Sequence, residues 1–454
     1  MRRELFFDHA LLPSGWARDV RISVADGNIA AVAEGASRTA ADDRIAGVAV
    51  PGVPNLHCHA FQRGMAGLAE RRGPSADSFW TWREVMYRFL QRLSPDDVEA
   101  IAAFAYMEML EAGFTTVGEF HYLHHDVDGR PYADLAEMAQ RIAAASAQTG
   151  IGLTLLPSFY AYGGFGGAPP APGQRRFIND RDRFLELVER SRAPVASLPA
   201  GRVGIAPHSL RAVTPETLRA VCRAVPDGPM HIHAAEQVRE VEECVAALGR
   251  RPVEWLLENV AVDSRWCIVH ATHTTDAELT ALAASQAVAG LCPITEASLG
   301  DGILDGAGYL AAGGRFGIGT DSNIQIDAAA ELRQLEYSQR LVRRARNVMT
   351  LQEGESTGRR LLTAVLAAGV QALQRPIGAL AAGSRADVVV LDGDHPDLAA
   401  RAGDQWLDAW IFVAGRSAVK AVLVGGETLV ESGRHVKRSP IEARFKTVVA
   451  RLVA

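Results

Sequence analysis

From residue 49 to residue 322, short apolar runs that read as strands alternate with stretches of helical periodicity, and eight such runs can be counted. They end at AVPGVPNLHCH (to His59), TTVGEFHY (to Tyr122), IGLTLLPSFY (to Tyr160), RVGIAPHS (to Ser209), PMHIHAAE (to Glu236), WCIVHATH (to His273), AVAGLCPIT (to Thr295) and RFGIGTDS (to Ser322). The helices between them carry their own start and stop signals. SPDDVEAIAAFAYMEMLEAG has Ser94 as N-cap and Gly113 just past its end, and TPETLRAVCRAV has Thr214 as cap with Pro215 at the first helical position. Eight β-then-α units in series predict an α/β fold of the parallel (β/α)8 TIM barrel type, with a doubly wound sheet as the alternative.

The flanks have a different texture. LFFDHALL, DVRISVADG and NIAAVAEG at the start, and ADVVVLDGD, AWIFVAG and AVKAVLVGGETLV near the end, are short β-like runs between Gly, Asp and Asn turns. Neither flank has enough strands for a stable sheet. The two are therefore expected to pair into one small composite β-sandwich domain, residues 1–50 with 376–454, around a barrel of residues 51–375. The Gly/Pro-rich segment YGGFGGAPPAPGQ (162–174) after the third strand reads either as a mobile lid or as a plain connector.

Composition excludes several classes of function. With 48% hydrophobic and 22% charged residues the chain can bury a large core, and its net charge of −6 is wrong for a nucleic-acid footprint. No apolar stretch reaches the ~18 residues of a membrane span, and Glu4 and Asp8 interrupt any secretory signal. Five scattered cysteines without a CxxC pair fit reduced thiols, so the expected location is the cytoplasm. Only three lysines occur (Lys420, Lys437, Lys446), which leaves no P-loop and allows a Schiff-base lysine only in the tail.

In a barrel of this kind chemistry belongs at the C-terminal ends of the strands, and His57, His59, His121, His208, His233, His270 and His273 all fall there. Residues two apart on a strand point the same way, so His57 and His59 face the axis while Cys58 faces the helices. His233 has the inward parity, and Asp321 stands at the end of the eighth strand. Three imidazoles and one carboxylate make a ligand set for Zn²⁺ or another divalent transition metal that keeps a position open for water. Glu236 lies where a carboxylate could take a proton from that water and return it to a leaving nitrogen, and His270 where it could orient the attacked group. His231 reads as a core-layer residue, His124 and His125 as loop histidines, and His9, His395 and His435 carry no functional reading.

With these residues assembled, the chain resembles the amidohydrolase superfamily, whose members place HxH on the first strand, His on the fifth and sixth and Asp on the eighth. The segment with Gly383, Ala386 and Asp387 belongs to the same likeness. Two-metal members bridge their ions with a carboxylated lysine, commonly at the fourth strand; here that strand ends APHSLR, so the resemblance implies a single metal. The HIHAAE motif is similar to the branch that deaminates C=N centres. Within it, NLHCHAFQRGMAGLAE (55–70), FWTWREVMYRF (79–89), EFHYLHH (119–125) and APHSLRAV (206–213) resemble the formimidoylglutamate deiminases. That resemblance implies hydrolysis of N-formimino-L-glutamate to N-formyl-L-glutamate and ammonia in histidine degradation, and a homodimer. It also implies that Gln62, Arg83, Tyr122, His208 and Arg211 hold the substrate, whose two carboxylates suit guanidinium forks. Metal-assisted chemistry would then use Asp321 and His270 to orient and deprotonate water and Glu236 to shuttle the proton. Cys58 departs from the serine expected between the two histidines. The competing expectations are another mononuclear deaminase acting on guanine, cytosine or an adenosine derivative, and a catalytically silent scaffold, which would have lost metal ligands that this chain keeps.

Overall fold

The structure is a computed structural model that describes residues 2–73 and 77–453. All eight expected barrel strands are present: Val53–Cys58, Phe114–His121, Gly152–Phe159, Ala206–Pro207, Met230–Ala234, Trp266–His270, Val288–Leu291 and Arg315–Ile318. Two parallel sheets, of the first four strands and of the last four, meet through parallel bridges at Cys58 with Asp321, at Ile205 with Met230 and at Ser209 with His233. The ring is thereby closed, and the architecture is a TIM barrel with a small β domain. Every residue of the first three strands is buried, as strands covered by helices on one side and a filled interior on the other must be.

The helix caps act as the sequence indicates. Ser94 accepts from the Asp97 amide at the start of Pro95–Glu111, and Thr214 accepts from the Thr217 amide at the start of Pro215–Ala224. The lower end of the barrel is plugged by the C-terminal end of the Thr357–Leu373 helix. His231 pairs with the Ala372 carbonyl at 2.9 Å and Thr154 donates to the Leu373 carbonyl at 3.0 Å. Gly369 permits this approach, since a Cβ there would lie 2.0 Å from Pro54 Cγ.

Both chain ends build one mixed sheet, in which Val48–Pro51 joins the N-terminal strands Arg2–Leu12, Gly15–Ala25 and Asn28–Ala33 to Val388–Leu391, Val419–Val424 and Glu427–Glu431. AWIFVAG does not join it: residues 404–414 are helical, with Trp410 and Ile411 fully buried. A short, continuously apolar run has no period that separates a strand from a buried helical turn, and here packing against the Ala328–Arg343 helix decided. The tail ends in a helix, Arg438–Val453, that the strand pattern does not announce. Phe445 stacks on Phe104 of Pro95–Glu111 at 3.9 Å between centroids, and Arg438 and Arg451 pair with Glu111 and Asp97. No described helix is long and apolar enough to cross a membrane, and all five cysteines are unpaired.

Candidate active site

The upper strand ends surround a pocket. His59, Gln62, Arg83, Tyr122, His208, Arg211, His233, Glu236, His270 and Asp321 all line it, and His57 lies directly beneath, fully buried. His121 and His273 do not reach the pocket; His273 bonds the Asp301 carbonyl at 2.7 Å. His124 and His125 follow the second strand outside any strand or helix, but both are buried, bonded to the carbonyls of Ser158 and Ile178. No residue of 162–174 lines the pocket. Its outer wall comes instead from the Phe79–Leu90 helix, through Phe79, Trp82, Arg83, Met86 and Tyr87.

At the floor, ligating atoms of His57, His59 and His233 lie within 4.8 Å of one another. His57 Nε2 is 3.1 Å from His233 Nε2, and Asp321 Oδ1 is 3.4 Å from His57 Nε2 and 3.3 Å from His59 Nε2. Backbone carbonyls set two of the tautomers: His59 Nδ1 donates to Phe120 O at 2.7 Å and His233 Nδ1 to His208 O at 2.9 Å. In each ring this turns a bare Nε2 toward the common centre. Burial, reinforced by the neighbouring rings, lowers His57 to about 3 and His233 well below its usual value, and burial also lowers His59. Burial opposes ionisation of Asp321, but His57, His59 and His270 together hold its carboxyl well below the usual carboxylate range. Three neutral imidazoles and an ionised carboxylate with their lone pairs on one point fit a single divalent metal.

The backbone is bent to achieve this. Ala235, His270, Ala271, Asp321 and Asn323 adopt positive φ, between 44° and 69°, at the ends of the fifth, sixth and eighth strands. Such conformations are unfavourable for non-glycine residues and are held only where surroundings over-determine them. At the eighth strand Asn323 does so, donating to the carbonyls of His59 and Asp321 at 3.0 Å each. Cys58 turns away from the centre, as expected, with its Sγ 3.4 Å from Asn323 Nδ2.

Above the floor stand Glu236 and His270. Glu236 Oε1 is 3.7 Å from His270 Nε2, and its carboxyl is pushed up to about 7 by burial, against the pull of His270 and Arg211. His270 Nδ1 is 3.3 Å from Glu296 Oε1, an oxygen that also accepts from the Cys292 amide at 3.0 Å. Sequence reasoning missed Glu296. Its one signal was an acidic residue in the first turn of the Pro293–Leu299 helix, directly after the seventh strand. Nearer the mouth, Gln62 Nε2 donates to the Tyr122 hydroxyl at 2.7 Å, leaving Gln62 Oε1 without a partner; the buried Nε atoms of Arg83 and Arg211 are likewise unsatisfied. Buried polar groups of this kind are normally paired, so these three point to a ligand.

The amidohydrolase family matches residues 48–429. The N-terminal domain of formimidoylglutamate deiminase HutF matches residues 3–46. A formimidoylglutamate deiminase of Pseudomonas aeruginosa is 53% identical over 99% of both chains. The chain belongs to the formimidoylglutamate deiminase family of amidohydrolases. Membership makes it a hydrolase of C–N bonds. More distant amidohydrolases include a 5-methylthioadenosine/S-adenosylhomocysteine deaminase of Nitratidesulfovibrio vulgaris, 28% identical over 92% of this chain and 89% of that one. Among solved structures, an amidohydrolase from Brucella melitensis superposes with a TM-score of 0.95 at 53% identity, covering 100% of each chain. A zinc-bound adenosine deaminase from Xanthomonas campestris shares the fold, with a TM-score of 0.81 at 20% identity over 99% of this chain and 98% of that one.

Proposed function

We propose that the enzyme hydrolyses N-formimino-L-glutamate to N-formyl-L-glutamate and ammonia, as a step in histidine degradation. The observation that carries this reading is the pair of guanidinium groups, Arg83 and Arg211, that face the pocket with no carboxylate of the protein in close contact; the nearest is Glu236 Oε2, 4.0 Å from Arg211 Nη2. A dicarboxylate supplies what both lack. His57, His59, His233 and Asp321 would hold the metal, with Zn²⁺ the ion best suited to three nitrogens and one oxygen. When bound, the ion supplies Lewis-acid activation of water.

The chain's own groups perform the remaining work. Arg83 and Arg211 fix the two carboxylates. Gln62 Oε1, with Tyr122 and His208 beside it, orients the formimino end over the floor. His270, steadied by Glu296, positions the water oxygen, with Asp321 on its other side. Glu236 takes a proton from water as its oxygen bonds to the formimino carbon, then delivers a proton to the terminal nitrogen. The hydroxyl proton left on that oxygen passes to the same nitrogen, again through Glu236, as the bond from the carbon to the terminal nitrogen breaks, ammonia leaves and the carbonyl of the formyl product forms. A carboxyl poised near neutrality is suited to both transfers.

The test is ammonia release from N-formimino-L-glutamate, with N-formimino-glycine, guanine and adenosine as controls. Preference for the dicarboxylate is expected. Turnover of a purine above that of N-formimino-L-glutamate would move the enzyme to the ring-deaminating branch. We further propose a cytoplasmic homodimer. The unpaired thiols fit a reducing compartment, and an apolar face suits a second copy: Leu341, Val342 and Val413 are exposed there beside the stacked rings of Tyr337 and Phe412. Light scattering should then give twice 48.7 kDa, and a mass of one chain would exclude the dimer.

A further inference from the structure

Trp80 occupies the first turn of the Phe79–Leu90 helix. Phe79, Trp82 and Arg83 around it line the pocket, and Trp80 does not. Its ring nevertheless has three guanidinium carbons within cation–π range: Arg239 at 4.5 Å, Arg83 at 4.6 Å and Arg211 at 5.6 Å. The three come from separate parts of the chain. Arg83 is on the same helix, Arg211 follows the fourth barrel strand and Arg239 is on the Val238–Leu248 helix, where it also pairs with Glu243 at 2.7 Å.

Buried guanidiniums are ordinarily held by a carboxylate fork, which neutralises the charge and occupies the N–H donors. Arg83 is half-buried and Arg211 buried; neither has such a fork, the one ion pair being Arg211 Nη2 with Glu236 Oε2 at 4.0 Å, neither donates a hydrogen bond to any described residue, and their Nε atoms are buried and unsatisfied. Aromatic rings hold them instead: Tyr87 lies 5.5 Å from Arg83, Phe79 lies 5.8 Å from Arg211, and Trp80 is shared by both. A ring face attracts the cation through its quadrupole without consuming a donor, so the N–H groups remain available to a ligand. We propose that Trp80 is a positioning residue that selects for a substrate with two carboxylates, by holding Arg83 and Arg211 at a fixed separation while leaving the N–H donors of both free. The role rests on the substrate reading above. With both guanidiniums gripped by one ring, each can take one carboxylate of a dianion at a matched separation, so dicarboxylate binding depends on the ring more strongly than monocarboxylate binding.

The test uses the metal-loaded enzyme with Trp80→Leu and Trp80→Phe. It measures KM and kcat for N-formimino-L-glutamate and N-formimino-glycine, and the calorimetric Kd of N-formyl-L-glutamate. For Trp80→Leu, KM and Kd of the dicarboxylates should rise about tenfold through loss of the ring contacts, with kcat and the glycine analogue's KM nearly unchanged. Trp80→Phe should recover most of the loss. An unchanged KM in Trp80→Leu, or a Phe variant as impaired as the Leu variant, overturns the proposal. If Trp80→Leu does not fold, fluorinated tryptophans placed at position 80 weaken the ring quadrupole at nearly constant shape. KM should then climb with fluorine number, and a flat series overturns the proposal. Arg83→Ala and Arg211→Ala separate the two claims: if neither raises KM, the substrate reading fails, whereas if both raise it and Trp80→Leu does not, only the role of Trp80 fails.

Discussion

Glu236→Gln removes the proposed proton shuttle while preserving side-chain shape. The Glu236 carboxylate accepts no hydrogen bond from a described residue; its nearest cationic atoms are His270 Nε2 at 3.7 Å and Arg211 Nη2 at 4.0 Å. An amide in its place therefore strands no donor, and the stability cost should stay below about 2 kcal/mol. The rate is a different matter. A positioned general acid–base is worth ~10²–10⁴-fold, and at ~1.36 kcal/mol per decade its loss raises the barrier by ~2.7–5.4 kcal/mol. Glu236 does not belong to the His57, His59 and His233 cluster, so metal uptake should survive. Ammonia release at saturating substrate should fall by about 10²–10⁴-fold, while elemental analysis finds near-stoichiometric metal and the melting temperature stays close to the parent's. A kcat within about threefold of the parent's would refute the shuttle role, because that is less than any positioned acid–base contributes. Metal lost in step with activity would refute it differently, by making Glu236 a ligand.

The metal assignment predicts that Asp321→Asn purifies with little bound ion. Loss of a partner that merely orients a ligand costs ~10–100-fold in affinity, so loss of a direct ligand should cost at least that, and undiminished metal content would remove Asp321 from the set. Glu296→Gln keeps an acceptor for the Cys292 amide but loses the charge facing His270. A hydrogen bond to a charged group is worth ~1.5–3 kcal/mol, so kcat should drop by at least about tenfold with KM and metal content unchanged. An unaltered kcat in steady-state assays would make Glu296 a purely structural residue.

Local chemistry determined more of this protein than its length suggests. Strand parity alone turns His57 and His59 to one side and Cys58 to the other, and Ser94 and Thr214 cap their helices as isolated sequence signals require. The order of the eight runs implies the barrel, and the barrel puts the histidines at one end. Other features were decided elsewhere in the chain. AWIFVAG became helical, the Phe79–Leu90 helix and not residues 162–174 came to wall the pocket, and Glu296 came to bond His270 from 26 residues away. The unpartnered edges of Arg83 and Arg211 are equally invisible in sequence, since an arginine codon does not reveal which carboxylates it will miss. The division has one physical cause. Period, parity and caps are set by neighbours within about one helical turn, whereas pairing, burial and charge balance are set by whatever the closed barrel brings within a few ångströms.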